Sequence, residues 1–65
     1  MSNIKKIYET LERYDRNEYI SFQEELELFS FMIATNYQYS RLKYYMRAMK
    51  LMNYGIIDNR GNILI

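Results

Sequence analysis

Lys43, Arg47 and Lys50 are the residues whose type and spacing point most directly to a binding chemistry. At 100° per residue they fall within about 60° of one another on a helix, a narrow basic stripe. Such a stripe can meet phosphates, and in the major groove of a duplex Arg and Lys read guanine O6 and N7. Arg41 and the hydroxyls of Tyr37, Tyr39 and Ser40 lie near the start of the same segment, where backbone phosphate can be held. Arg60 sits beyond it, in the Asn59-Arg60-Gly61-Asn62 turn. An ordinary solvated helix face carries the same residue types. The absence of any Asp or Glu from Asn36 to Ile57 is what favours a functional stripe.

Other chemistries have less to rest on. The chain has no histidine and no cysteine, so it lacks the commonest general base, the commonest metal ligand and any thiolate. It also lacks a glycine-rich phosphate loop. The expectation is therefore a protein that is not an enzyme, with no cofactor, no metal and no small-molecule substrate. Eight tyrosines could stack on unpaired bases, although tyrosines of this kind are commonly the half-buried edge of a core.

The net charge of +1 hides an uneven distribution. Residues 1 to 34 hold four basic and seven acidic side chains, and residues 35 to 65 hold five basic and one acidic. The C-terminal half therefore suits a polyanion. Glu24, Glu25 and Glu27 complement the positive end of a helix dipole, or form a docking patch for a basic partner. No stretch reaches the roughly 18 apolar residues of a membrane span, so a soluble, cytoplasmic protein without a membrane partner is expected.

The elements that must position these residues follow from pattern. Sixty-five residues make one domain, 1–65, and a chain this short buries only about 60% of the surface its unfolded form exposes. Ser2 or Asn3 can cap a first helix whose Ile4, Ile7, Tyr8, Leu11 and Tyr14 share one face, ended by Asp15-Arg16-Asn17. Glu18-Tyr19-Ile20 reads as a short strand. Ser21-Phe22-Gln23-Glu24 has the form of a capping box and opens a second helix, with Phe22, Leu26, Phe29 and Ile33 on one stripe and Leu28 and Met32 beside it. That helix should fade at Thr35-Asn36. Ser40 is the natural N-cap of a third helix from Arg41 to Asn53 or Tyr54, stopped by Gly55. Ile56-Ile57-Asp58 and Asn62-Ile63-Leu64-Ile65 then read as a hairpin.

From Glu24 onward the chain resembles the winged helix-turn-helix family. The residues that carry the resemblance are Glu24-Glu25-Leu26, "YSRLKYYMRAMKLMNYGII" from Tyr39 to Ile57, and the hairpin after it. Leu51, Gly55, Ile56 and Ile57 take the places of the leucine, glycine and two apolar residues that lead into the wing. The resemblance implies a mainly α fold with a small antiparallel β-hairpin, helix 41–54 as recognition helix and hairpin 56–65 as a short wing. It also implies that Tyr44, Ala48 and Leu51 point inward. Raw hydrophobicity instead centres the inward face near Leu42, Tyr45, Met49 and Met52. The apolar arc exceeds the roughly 100° that one core contact uses, so a helix packed on two sides reconciles the two registers. Met is adaptable at such surfaces, which makes Leu42, Met46 and Met49 the expected dimer or partner interface.

The expected function is a compact double-stranded DNA-binding protein, a homodimeric transcriptional regulator of the kind encoded on a virus or plasmid. Its contacts would be Ser40, Arg41, Lys43, Tyr44, Arg47, Lys50 and Arg60. The alternative is a protein interaction module that does not bind DNA, which the near-neutral net charge favours.

Overall fold

The computed structural model describes residues 3 to 65, so the Ser2 cap expected above lies outside the described residues. Three helices follow in order, α1 (Ile4–Asp15), α2 (Phe22–Thr35) and α3 (Leu42–Asn53). None of them is long and apolar enough to cross a membrane.

Local chemistry sets most of the helix boundaries. The Asn3 side chain accepts the Lys6 N–H at 3.2 Å and starts α1. Ser21 and Glu24 form the reciprocal capping box: the Glu24 N–H donates to Ser21 Oγ at 3.1 Å, and the Ser21 N–H donates to Glu24 Oε1 at 2.9 Å. Asn36, in the left-handed conformation at φ 62°, ends α2, where Asn is tolerated better than most residues.

The core is a contact of all three helices with the C-terminal segment. Ile7 and Leu11 of α1, Leu26, Leu28, Phe29, Met32 and Ile33 of α2, Tyr44, Ala48 and Leu51 of α3, and Ile57 are buried together. Thr10 is also buried, and its hydroxyl donates to the Lys6 carbonyl at 2.9 Å, so a polar group enters the interior with its partner already made. Phe22, assigned by spacing to the inner stripe of α2, is 49% exposed at the first turn.

The expected antiparallel β-hairpin is not present. Among the described residues there is no strand or sheet, only an isolated antiparallel bridge between Ile57 and Ile63. The fold is a three-helix, mainly α domain without a wing, and Glu18-Tyr19-Ile20 is a linker rather than a strand. The turn between the bridged residues is held by its own contacts. The Asp58 carboxylate accepts the backbone N–H groups of Arg60 and Asn62, each at 2.9 Å, and the side-chain amide of Asn62 at 3.0 Å. These bonds hold the Asp58 carboxyl below the usual carboxylate range, the Asn62 side chain contributing most. Gly61 is drawn onto α2, where Ser30 Oγ donates to its carbonyl at 2.5 Å. On the other side of the bridge, where a ladder would have to continue, the Ile56 N–H is taken by the Leu51 carbonyl of α3 at 3.0 Å, and the Leu64 N–H reaches the Ile56 carbonyl at 2.8 Å.

Helix α3 also begins later than expected. Its first residue is Leu42, and the N-cap is Arg41, which makes no side-chain capping bond, so Ser40 is not the cap. Gln38, at φ 51°, turns the chain, and the Arg41 N–H donates to the Gln38 carbonyl at 3.1 Å. The turn moves the helix start past Ser40.

The capping carboxylate makes the fold sensitive to acid. Glu24 accepts from the Ser21 backbone, pairs with Arg13 at 2.5 Å and lies 3.4 Å from Lys6. The Ser21 bond first, then Arg13, hold its carboxyl down at about 2. A depressed carboxylate stabilises the fold above its unfolded value, near 4.3, and that contribution is lost as pH falls toward 2. Thermal melts from pH 6 to pH 2 should therefore show a decline below about pH 4.5 that is shallower in Glu24→Gln. Equal slopes in the two proteins would contradict this assignment.

Candidate functional site

The surface of α3 is set by its register. Tyr44 and Ala48 are fully buried and Leu51 is 1% exposed, so the register implied by the family resemblance is the one observed, and the hydrophobicity-centred register is not. At 100° per residue the opposite side of the helix is centred on Leu42, Met46 and Met49, with Tyr45 beside them. Leu42 is 70% exposed, Met46 61% and Tyr45 43%, while Met49 is half-buried. The Tyr45 ring rests on Tyr39 at 5.6 Å between centroids. Leu42 and Tyr45, which raw hydrophobicity assigned to the core, therefore face outward, while Met52, assigned with them, does pack against it.

The stripe of cations runs along one flank of this face, and folding engages most of it. Arg47 holds Glu25 of α2 in a two-point pair, Nε to Oε2 at 2.7 Å and Nη2 to Oε1 at 2.9 Å. This bond raises the Arg47 pKa further. Lys43 Nζ donates to the Tyr14 carbonyl at 3.3 Å, lies 3.9 Å from Asp15 and sits 4.9 Å from the Tyr14 ring centroid. Arg41 lies over the Tyr44 ring at 5.2 Å and donates to Gln38 at 3.3 Å. Lys50 has no ion-pair or hydrogen-bond partner among the described residues, and the Arg60 side chain has none either.

Of the seven residues expected to contact DNA, Tyr44 is not on the surface. Tyr44 is inaccessible: its ring is core, its hydroxyl donates to Asp15, and burial followed by that bond pushes its pKa up to about 12. Ser40 is exposed ahead of the helix, and Arg60 is exposed on the Asp58 turn, which packs against α2. Lys43, Arg47 and Lys50 do come together. With Met46 they line an open groove of about 350 Å³.

The engaged acids are what inspection of the sequence missed. Glu24 and Glu25 complement the dipole of α2, and they are also the partners of Arg13, Lys6 and Arg47. Two ion pairs join the oppositely charged halves, Arg47 with Glu25 and Lys43 with Asp15, and the other three lie within the N-terminal half. The crowding of three glutamates within four positions was the available signal, and its partners lay 11, 18 and 22 residues away.

Arg47 is consequently a stabilising residue. Its removal leaves the Glu25 side chain, only 14% exposed, without a cation. Arg47→Ala should cost about 1–2 kcal/mol in urea unfolding, the lower part of the range for charge-assisted bonds because the Arg47 side chain is partly solvated. Glu25→Gln with Arg47→Ala should recover part of that loss, and a strictly additive double variant would contradict the pairing.

Comparison of the chain with family models, with curated proteins and with solved structures finds no match.

Proposed function

We propose that this domain is an interaction module that captures a helix of another protein on the outward face of α3. The observation that carries this is the exposure of Leu42 and Met46 on the side of the helix opposite its buried Tyr44 and Ala48. An apolar ridge at positions i, i+3, i+4 and i+7 is the pattern by which helices dock on one another. Met46 and Met49 supply adaptable contacts there.

Double-stranded DNA is the second reading, favoured by the groove that Lys43, Arg47 and Lys50 share. One feature weighs against it. The centre of the outward face is apolar, so base edges would meet Leu42 and Met46, which offer no hydrogen bonds.

A photo-crosslinking side chain placed at position 42 or 46, with positions 9 and 12 as exposed controls, should capture a protein from the source cells only at the first pair. The captured protein is then purified and titrated against the wild type and Leu42→Glu/Met46→Glu. The double variant should fold normally, because both side chains are already solvated. It should bind at least about 100-fold more weakly, as expected when central anchors are lost. Capture at positions 9 and 12 alone, or unchanged affinity of the double variant, would refute the proposal.

A further inference from the structure

We infer that the docked segment is an acidic amphipathic helix whose carboxylates seat in the groove between Lys43, Arg47 and Lys50. This rests on the docking function proposed above and names the chemistry of the partner. Lys43, Met46, Arg47 and Lys50 stand at i, i+3, i+4 and i+7, so the groove runs along the helix beside the apolar ridge and shares Met46 with it. A helix laid on the ridge brings its own flank over the groove.

The groove holds positive charge that the fold does not fully use. Lys50 has no ion-pair partner among the described residues. Lys43 meets Asp15 only at 3.9 Å, with both side chains more than 40% exposed, so this contact yields readily to a second carboxylate. Arg47 uses Nε and Nη2 on Glu25, and no hydrogen bond from its Nη1 is made among the described residues. With no acidic residue from Asn36 to Ile57, nothing on α3 itself competes for these donors.

The same charges argue against a second copy of α3 as the occupant. An antiparallel pair centred on Met46 would bring Lys43 within a turn of the other copy's Lys50, and a parallel pair would set like residues side by side. Either arrangement places unneutralised cations against each other, which disfavours pairing. An acidic helix meets the ridge and the groove together.

The test uses the full chain labelled at its methionine methyls, with Met46 and Met49 as reporters. Three probes are titrated: a helical peptide of about 18 residues with a leucine stripe flanked by glutamates, the same peptide with lysines for glutamates, and a short duplex DNA. The acidic peptide should shift the Met46 methyl saturably and the basic one should not. Lys50→Glu should weaken the acidic peptide by about 5- to 20-fold, and Leu42→Glu/Met46→Glu, read at Met49, should abolish the shift. Equal binding of the two peptides overturns the acidic partner and leaves docking intact. Binding of neither peptide overturns both, and a shift produced by the duplex alone transfers the site to nucleic acid.

Discussion

Gly61→Ala is expected to destabilise the domain by about 2–5 kcal/mol, from about 1–2 for a left-handed backbone and about 1–3 for overpacking. Gly61 is buried with φ at +91°, and a Cβ built there would lie 2.5 Å from the Ser30 carbonyl oxygen and 3.1 Å from Ala34 Cβ. The obstacle is helix backbone, which cannot move aside as a flexible side chain would. Gly55 supplies the control. Its φ is also positive, at +73°, but nothing lies within 4 Å of the added methyl, so Gly55→Ala should cost only about 1–2 kcal/mol. A chain of this length is expected to hold only about 3–10 kcal/mol in total. Urea unfolding followed by circular dichroism should thus give Gly61→Ala a much lower midpoint than Gly55→Ala. Equal midpoints would mean that the C-terminal turn does not pack against α2 as described.

Tyr44→Ala should be comparably severe, at about 3–5 kcal/mol, the cost of truncating a large core aromatic. The ring is fully buried and packs against Tyr14 at 6.0 Å between centroids, while Arg41 covers its other surroundings at 5.2 Å. Tyr44→Phe keeps the ring and loses the bond to Asp15, a change of about 0.5–1.5 kcal/mol. The two substitutions separate packing from hydrogen bonding. Alkali gives a further signature. With the folded hydroxyl pushed up to about 12 against an ordinary value near 10, the fold keeps this contribution below pH 10 and loses it as pH rises toward 12. Tyr44→Phe should lose less stability over that interval. A Tyr44→Ala protein as stable as the wild type would exclude Tyr44 from the core and return it to the candidate surface.

What the sequence revealed and what it concealed divide by range. The Asn3 cap, the capping box of Ser21 and Glu24 and the Asn36 terminus depend on residues within one turn, and they were legible. The register of α3 was not legible from hydrophobicity, because its apolar arc is wide enough to satisfy a core from either side. The register observed buries Tyr44, Ala48 and Leu51, and the Tyr44 hydroxyl finds its partner in Asp15, 29 residues away. The hairpin misled for a related reason. Its residues have strand character, but beyond the bridge the Ile56 N–H is claimed by Leu51 of α3, the turn is held to α2 by Ser30, 31 residues before Gly61, and the pairing is one bridge. The basic stripe was visible, and so were the glutamates. Their pairing across the fold, Glu25 with Arg47 above all, was not, since no local pattern links the start of α2 to the middle of α3.

If a partner protein reads the apolar ridge of α3, as proposed, the cations beside it do not serve as a DNA surface. The most direct test is the anisotropy of a labelled random-sequence duplex titrated with the protein at about 50 to 200 mM salt. No saturable binding is expected even at the low end, for the wild type and for Lys43→Ala/Lys50→Ala alike. Binding with a log-log salt slope of about −3 or steeper, reduced by roughly one for each lysine removed, would contradict it.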